Sequence, residues 1–209
     1  ELCANFFNFY SSSEGGGISL LRPEHPDAAS LSVGQVVFGA EVQIIDEQHR
    51  PVPAGTVGAI RYRGGSVADS YYRNPQESAA AFRDGWYYPG DLGRFDPDGF
   101  LYLTGRSKDM IIRGGVNIYP VEIEQTLAAH PAVAEAAVVG WPSQERGEEV
   151  AAFVVCRTAV TENDLLVHCR GSLAPYKIPR GIFFLDELPK SGLGKVLKPR
   201  LVERLAQLA

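Results

Sequence analysis

Between residues 36 and 102, short apolar, β-rich runs are broken by polar turns built on proline and glycine. The runs include Glu41 to Asp46, Gly58 to Tyr62 and Phe100 to Leu103. The turns include Pro51-Val52-Pro53-Ala54-Gly55 and Asp96-Pro97-Asp98-Gly99. Residues with fixed or permissive backbone end each run, so the pattern predicts a small, strongly bent sheet or a barrel-like subdomain. One helical insert is expected at Asn74 to Phe82, where Pro75 takes a first-turn position and Ala79 to Ala81 favour helix. Upstream, the apolar and aromatic run Phe6 to Tyr10 passes straight into a serine and glycine loop, as in a chain that starts inside a domain.

After Arg106 the pattern changes to strands separated by amphipathic helices. Helices are expected at Val121 to Ala129, Glu162 to Cys169 and Lys198 to Leu208, and strands at Val133 to Val139, Val150 to Val155 and Ile182 to Leu185. Thr161 with Asp164 three residues on is a capping signal, and Pro131 and Pro142 punctuate the strand between them. The fold class expected is therefore α+β: a small bent β-barrel-like subdomain followed by a compact α/β domain.

Composition narrows the classes of function. The 209 residues could hold one large or two modest domains, and a 45% hydrophobic content is ample for buried cores. A formal charge of -5 with interspersed signs offers no basic patch for nucleic acid, and no apolar run approaches the length of a membrane span. Cys3, Cys156 and Cys169 lack zinc-ligand spacing, and no secretory leader is expected before them. They suit small apolar packing in a reduced, cytoplasmic setting. His25, His49, His130 and His168 are scattered without a metal pattern.

The richest stretch is Gly105 to Glu124, where a Gly-Arg turn, an apolar triplet, a Gly-Gly turn and Pro120 opening an acidic helix set permissive backbone beside fixed charge. That suits a moving or ligand-facing segment, or a hairpin joining two domains. Elsewhere single residues read in two ways. Ser11-Ser12-Ser13-Glu14 by itself suits a helix cap. Asp91 suits an ordinary turn, and Lys195, in Ser191-Gly192-Leu193-Gly194-Lys195, a solvated loop.

Taken together, five segments in order resemble the adenylate-forming superfamily, which includes acyl-CoA synthetases, firefly-luciferase-like enzymes and nonribosomal peptide adenylation domains. Tyr10 to Gly15 is similar to its adenine and magnesium motif, Tyr87 to Leu92 to its ribose motif, and Gly105 to Glu124 to its domain junction. Leu173 to Pro179 and Pro189 to Lys195 resemble its two late lid motifs. The resemblance spans nearly the whole chain. It implies that residues 1–105 are the C-terminal part of a large AMP-binding domain, and that residues 106–209 are its lid domain.

The activity implied is that of an ATP-dependent carboxylic acid:CoA ligase, AMP-forming, using ATP, Mg2+ and coenzyme A. Such an enzyme makes an acyl-adenylate and then, after lid rotation, a thioester. Tyr10 would flank the adenine, Ser13 contact phosphate and Glu14 ligate magnesium through an oxygen. Asp91 would take the ribose hydroxyls, and Arg106 would add a contact to ribose or phosphate. Lys195 would be catalytic, bridging the carboxylate and the α-phosphate. Lys108 would be the hinge, and Gly114 and Gly115 would line the pantetheine tunnel. Gly15, Gly16 and Gly17 would border the acid pocket and leave room for a bulky aryl or alkyl group. The superfamily's Ser/Thr/Gly-rich phosphate loop has no counterpart here, so the partners expected are a small carboxylic acid, ATP, CoA and a missing N-terminal part of the same protein. The chain alone is expected to be inactive. Ser11, Ser13 and Pro89 stand where glycine, threonine and threonine are common. The alternative of another class is a non-catalytic nucleotide-binding or interaction module built on the same lid.

Overall fold

Polar residues on one side of a strand and apolar ones on the other build half-buried antiparallel sheets, and the first part of the chain makes two of them. The computed structural model describes residues 5–207 and divides into two units, with the boundary between Ser107 and Lys108. In the first unit β1 (Asn8–Ser12), β2 (Gly16–Leu21) and β3 (Gln35–Val36) form a three-stranded antiparallel sheet. The second sheet comprises β4 (Ala40–Ile45), β5 (Gly58–Gly64), β6 (Phe82–Arg83), β7 (Trp86–Tyr87), β8 (Asp91–Phe95) and β9 (Leu101–Arg106). Its order is β6-β7-β5-β8-β9, with β4 also paired to β5. Facing pairs Val42 with Tyr62 and Ile44 with Ile60 send one face of this sheet into a core shared with Ile18, Tyr87 and Leu101.

The barrel-like expectation resolves into two open sheets, bridged where Gln35 meets Phe100 and where Val33 and Gly34 exchange backbone hydrogen bonds with Leu101. Closure needs continuous pairing around the ring, and two-residue strands such as β3, β6 and β7 carry too few ladder positions for it. Helix α1 (Pro75–Ala81) sits where expected, with the Asn74 side chain capping it through the Glu77 amide at 3.2 Å.

The second unit is a sheet covered on both faces. Its strands are β10 (Ile111–Arg113), β11 (Val116–Ile118), β12 (Val133–Ser143), β13 (Gly147–Cys156) and β14 (Gly181–Phe184), in the order β11-β10-β13-β12 with β14 parallel to β13. Along β13 the side chains alternate between two cores. Val150, Ala152 and Val154 face Ile123 and Leu127 of α2 (Pro120–Ala128) and Leu165 of α3 (Glu162–Arg170). Ala151 and Phe153 face Leu201 and Leu205 of α4 (Lys198–Ala206). A strand buried on both faces reads as a continuous apolar run, as Val150 to Val155 does.

The Thr161 and Asp164 pair forms a reciprocal capping box on α3. Strand β12 runs beyond Val139 to Ser143, so Pro142 lies inside it. It pairs opposite Glu148 beside the turn, at the strand end, where a missing N–H is tolerated. Leu208, in the expected last helix, and Cys3 fall outside the described residues.

Candidate functional site

Strand alternation places Tyr10 and Ser12 on the same inward side of β1, and a β-bulge between Tyr10 and Ser11 turns the strand there. The tyrosine hydroxyl donates to Asp91 Oδ2 at 2.6 Å, across 81 residues of chain. Asp91 opens β8 and pairs directly with Arg106, the last residue of β9, so the hairpin itself explains their spacing. Arg106 Nε donates to Asp91 Oδ1 at 3.1 Å. The turn before Asp91 needs Gly90 at φ +79°, and the Ser107 amide and hydroxyl hold its carbonyl at 2.9 and 3.2 Å.

The carboxylate is only 16% exposed, whereas Arg106 is 49% exposed, so this ion pair orients Asp91 more than it stabilises the fold. Burial, then the bond to Asp91, pushes the Tyr10 phenol far above its ordinary pKa, so it remains a donor. A carboxylate offers about four acceptor positions. Two are taken here, which leaves room for two vicinal hydroxyls.

Glu14 sits at the tip of the β1–β2 hairpin. The helix-cap reading of Ser11 to Glu14 does not hold. Ser11 and Ser12 pair with Gly17 and Gly16, and the Ser12 hydroxyl accepts from the Gly15 amide at 3.0 Å to close the tight turn. Tyr71 donates its hydroxyl to Glu14 Oε1 at 2.9 Å, and the loop after β5 clamps the hairpin through Ala68 N to Glu14 O at 2.7 Å and Ser66 Oγ to Gly15 O at 2.9 Å. Burial alone would raise the Glu14 pKa. Hydrogen bonds from its own backbone and from Tyr71, Tyr87 and Ser12 overcome that and hold it below the usual glutamate value.

Among the described residues no three His, Cys, Asp or Glu side chains gather into a metal-binding group. A lone ionised carboxylate suits Mg2+, which keeps its waters and takes one or two carboxylates plus substrate phosphates. Ser13 is exposed in the same turn.

The glycines at 15 and 17 admit close packing. A Cβ on Gly15 would lie 2.1 Å from the Tyr62 ring, and one on Gly17 2.3 Å from Phe9. Tyr62 in turn bonds Ser12 through its hydroxyl at 2.7 Å. Tyr62 and Tyr71 escaped the sequence reading, because their partners Ser12 and Glu14 lie tens of residues away and only the local density of tyrosine hinted at them.

In the second unit, Lys108 is exposed in the 3-10 turn Ser107–Asp109, which straddles the unit boundary. Gly114 and Gly115 form the β10–β11 turn at φ +58° and +81°, and a Cβ on either would meet nothing within 4 Å. Their requirement within the chain is the left-handed backbone of a two-residue hairpin, not crowding. The Arg113 side chain turns away from that hairpin into the unit, to Glu149 and, at 3.1 Å, to the Tyr176 carbonyl.

Lys195 closes a small loop: Ser191 N donates to Lys195 O at 2.8 Å, and Lys195 N to Ser191 Oγ at 3.2 Å. Lys190 and Lys198 on either side are ion-paired to Glu135 and Glu124. The Lys195 ammonium is exposed and has no ion-pair partner among the described residues.

Comparison with known proteins gives these features their relatives. Residues 1–72 match the AMP-binding enzyme family, and residues 122–195 match the AMP-binding enzyme C-terminal domain. The chain belongs to the AMP-binding, adenylate-forming enzymes. It is 38% identical over 193 residues to a long-chain-fatty-acid–CoA ligase of Escherichia coli, covering 92% of this chain and 34% of the ligase. Among solved structures it is similar to o-succinylbenzoate coenzyme A synthetase of Bacillus subtilis in complex with ATP and magnesium ion. There the TM-score is 0.89 at 37% identity, over 94% of this chain and 41% of that one. It is also similar to an amide bond synthetase of Marinactinospora thermotolerans, with a TM-score of 0.91 at 32% identity, over 97% of this chain and 43% of that one. The chain thus spans about a third of the length of the ligase it matches. No helix among the described residues is long and apolar enough to cross a membrane.

Proposed function

We propose that the protein carrying this chain is an ATP-dependent carboxylic acid:CoA ligase that passes through an acyl-adenylate, with residues 1–105 closing the large AMP-binding domain and residues 106–209 forming the lid. The observation that carries this reading is the convergence of Tyr10 and Arg106 on the Asp91 carboxylate, with the ionised Glu14 at the tip of the hairpin that carries Tyr10. In the first half-reaction a carboxylate oxygen of the acid attacks the α-phosphorus of ATP and pyrophosphate leaves. In the second, the sulfur of CoA attacks the acyl carbon, loses its proton and expels AMP.

Asp91 holds the ribose hydroxyls, Tyr10 lies beside the adenine and Arg106 adds a donor to ribose or phosphate. Glu14 would hold magnesium, which shields the phosphate charge, and Ser13 adds a hydroxyl toward phosphate. Lys195 brings an ammonium to the charge that develops between carboxylate and α-phosphate, a contribution of positioned charge without proton transfer. The support for it is its exposed, acid-free loop between two neutralised lysines. Lys108, at the unit boundary, is the hinge about which the lid turns, and Gly114 and Gly115 then border the thiol route. The free thiols Cys156 and Cys169 accord with a reducing cytoplasm and are not needed as nucleophiles.

Lys195→Ala in the complete protein tests this. Acid-dependent ATP–pyrophosphate exchange is expected to fall roughly 100-fold to 1,000-fold, the usual loss for one charge-stabilising group. Thioester formation from supplied acyl-adenylate should stay within a few fold. Equal loss of both reactions, or of neither, would refute the two-pose mechanism.

A further inference from the structure

Glu149 is an acid in the wrong place for mere solvation. It lies on β13, 7% exposed, at the start of the buried stretch of that strand and next to the fully buried Val150. A buried carboxylate persists only when its charge is paired and its oxygens are hydrogen-bonded. Glu149 meets both conditions by gripping the Gly114–Gly115 hairpin. Its Oε2 accepts from Arg113 Nε, and its Oε1 faces Arg146 at 3.6 Å. Arg113 then spends a second donor on the Tyr176 carbonyl at 3.1 Å, which ties the hairpin to the Pro175–Lys177 turn.

Two further hydrogen bonds reinforce the grip: Gly114 N to the Arg146 carbonyl at 2.8 Å, and Ile112 N to the side-chain Oε2 of Glu148 at 2.6 Å. The register between β10 and β13 rests on one pair, Arg113 with Gly147. Two successive glycines give the turn its hand but no fixed position, and a Cβ on either would meet nothing within 4 Å. Ile111 and Ile118 bury the base of the hairpin in the core, and the acid and arginine cluster holds its tip.

A buried ion pair of this kind seldom stabilises more than an apolar pair of equal volume. Its presence directly beside the glycine turn, where Arg113 precedes Gly114, calls for a role in placement. We propose that Glu149, acting through Arg113, is a positioning residue for the thioester half-reaction, holding the Gly114–Gly115 hairpin where the thiol must pass. This rests on the ligase reading above. It adds a residue to that cycle that touches neither nucleotide nor acid.

The two half-reactions separate the possibilities. In the complete protein, Glu149→Gln is expected to leave acid-dependent pyrophosphate exchange within about threefold, while thioester formation from supplied acyl-adenylate falls roughly 100-fold, as for about an ångström of misplacement. The retained exchange is also the folding control, because it depends on Lys195 in the same unit. Arg113→Lys keeps the charge and loses the fork, so it should give the same split with smaller amplitude. Parallel loss of both reactions in both variants, or thioester formation unchanged in Glu149→Gln, overturns the proposal. If Lys195→Ala separates the half-reactions and Glu149→Gln does not, this inference alone falls. If the unaltered protein shows no acid-dependent exchange, the ligase reading falls with it.

Discussion

The closest approach in the hairpin that carries Glu14 is between Gly15 and Tyr62, and Gly15→Ala converts it into a measurable strain. The added Cβ would stand 2.1 Å from Tyr62 Cε2, 2.2 Å from its hydroxyl oxygen and 2.5 Å from Cζ, so the ring tip must move by more than an ångström. It has little freedom to do so. Tyr62 is 1% exposed, stacks edge-on against Tyr87 at 5.2 Å and is tied to Ser12 at 2.7 Å.

Overpacking of this kind costs about 1–3 kcal/mol, and losing the Ser12 bond adds about 1 kcal/mol. Alanine restricts the unfolded chain and returns about 0.4–1 kcal/mol. The net loss expected is then about 1–3 kcal/mol. The two tryptophans fall one to a unit, so urea unfolding read from Trp86 in a Trp141→Phe background reports the first unit alone. Tyr62→Leu, itself destabilising, should absorb the extra methyl group and give a coupling of about 1–3 kcal/mol in a double-mutant cycle. A loss below about 0.5 kcal/mol, or the same penalty in both backgrounds, would refute the packing argument.

Asp91→Asn in the complete protein keeps the shape but removes the charge that would hold the ribose. ATP affinity measured by calorimetry should fall about tenfold to 100-fold, the worth of a hydrogen bond to an ion, and a change within about twofold would remove the ribose assignment. Burial pushes the Tyr62 phenol up to about 12, against the lowering effect of its bond to Ser12. The folded state thus keeps a proton that the unfolded chain releases near 10, and stability present below pH 10 is lost as the pH climbs toward 12. Urea midpoints across that window should slope less in Tyr62→Phe, and an identical slope would contradict the assignment. Thr161→Ala breaks the capping box of α3 and should destabilise the second unit by about 1 kcal/mol as read from Trp141. An unchanged midpoint would show that the box carries no net stability.

The second unit was legible because its elements state their surroundings locally. Val150 to Val155 is apolar on both faces, and both faces are covered; Thr161 and Asp164 announce a cap, and the cap is there. The first unit was less so. Strand β1, Asn-Phe-Tyr-Ser-Ser, is short and polar, and the hairpin forms because glycines at 15 and 17 admit Tyr62 and Phe9. Such a cause lies up to tens of residues away and leaves no periodic signal. For the same reason Tyr10, Asp91 and Arg106 could be named from motif order, whereas Tyr71, whose hydroxyl reaches Glu14 from 57 residues along the chain, could not. At Gly15 and Gly17 the absent side chain makes room for aromatic rings of the chain itself, which no local pattern announces.

The two units also manage charge in different ways, and the difference bears on how their perturbations combine. Asp91 and Glu14 already have their hydroxyl and guanidinium donors in place, from residues of their own unit. A nucleotide binding there meets carboxylates whose orientation needs no further ordering, so affinity should be set by these groups. Lys195 is the reverse. Its loop is closed by backbone bonds at both ends while its ammonium stays unpaired among the described residues, flanked by lysines that Glu135 and Glu124 neutralise. On the ligase reading proposed above, an ammonium so presented contributes most where negative charge grows, which is in the adenylation transition state. Asp91→Asn should therefore act on ATP affinity and Lys195→Ala on the rate of adenylation. The two side chains share no protein partner and belong to separate units, so the two free energies should add in the double variant to within about 0.5 kcal/mol.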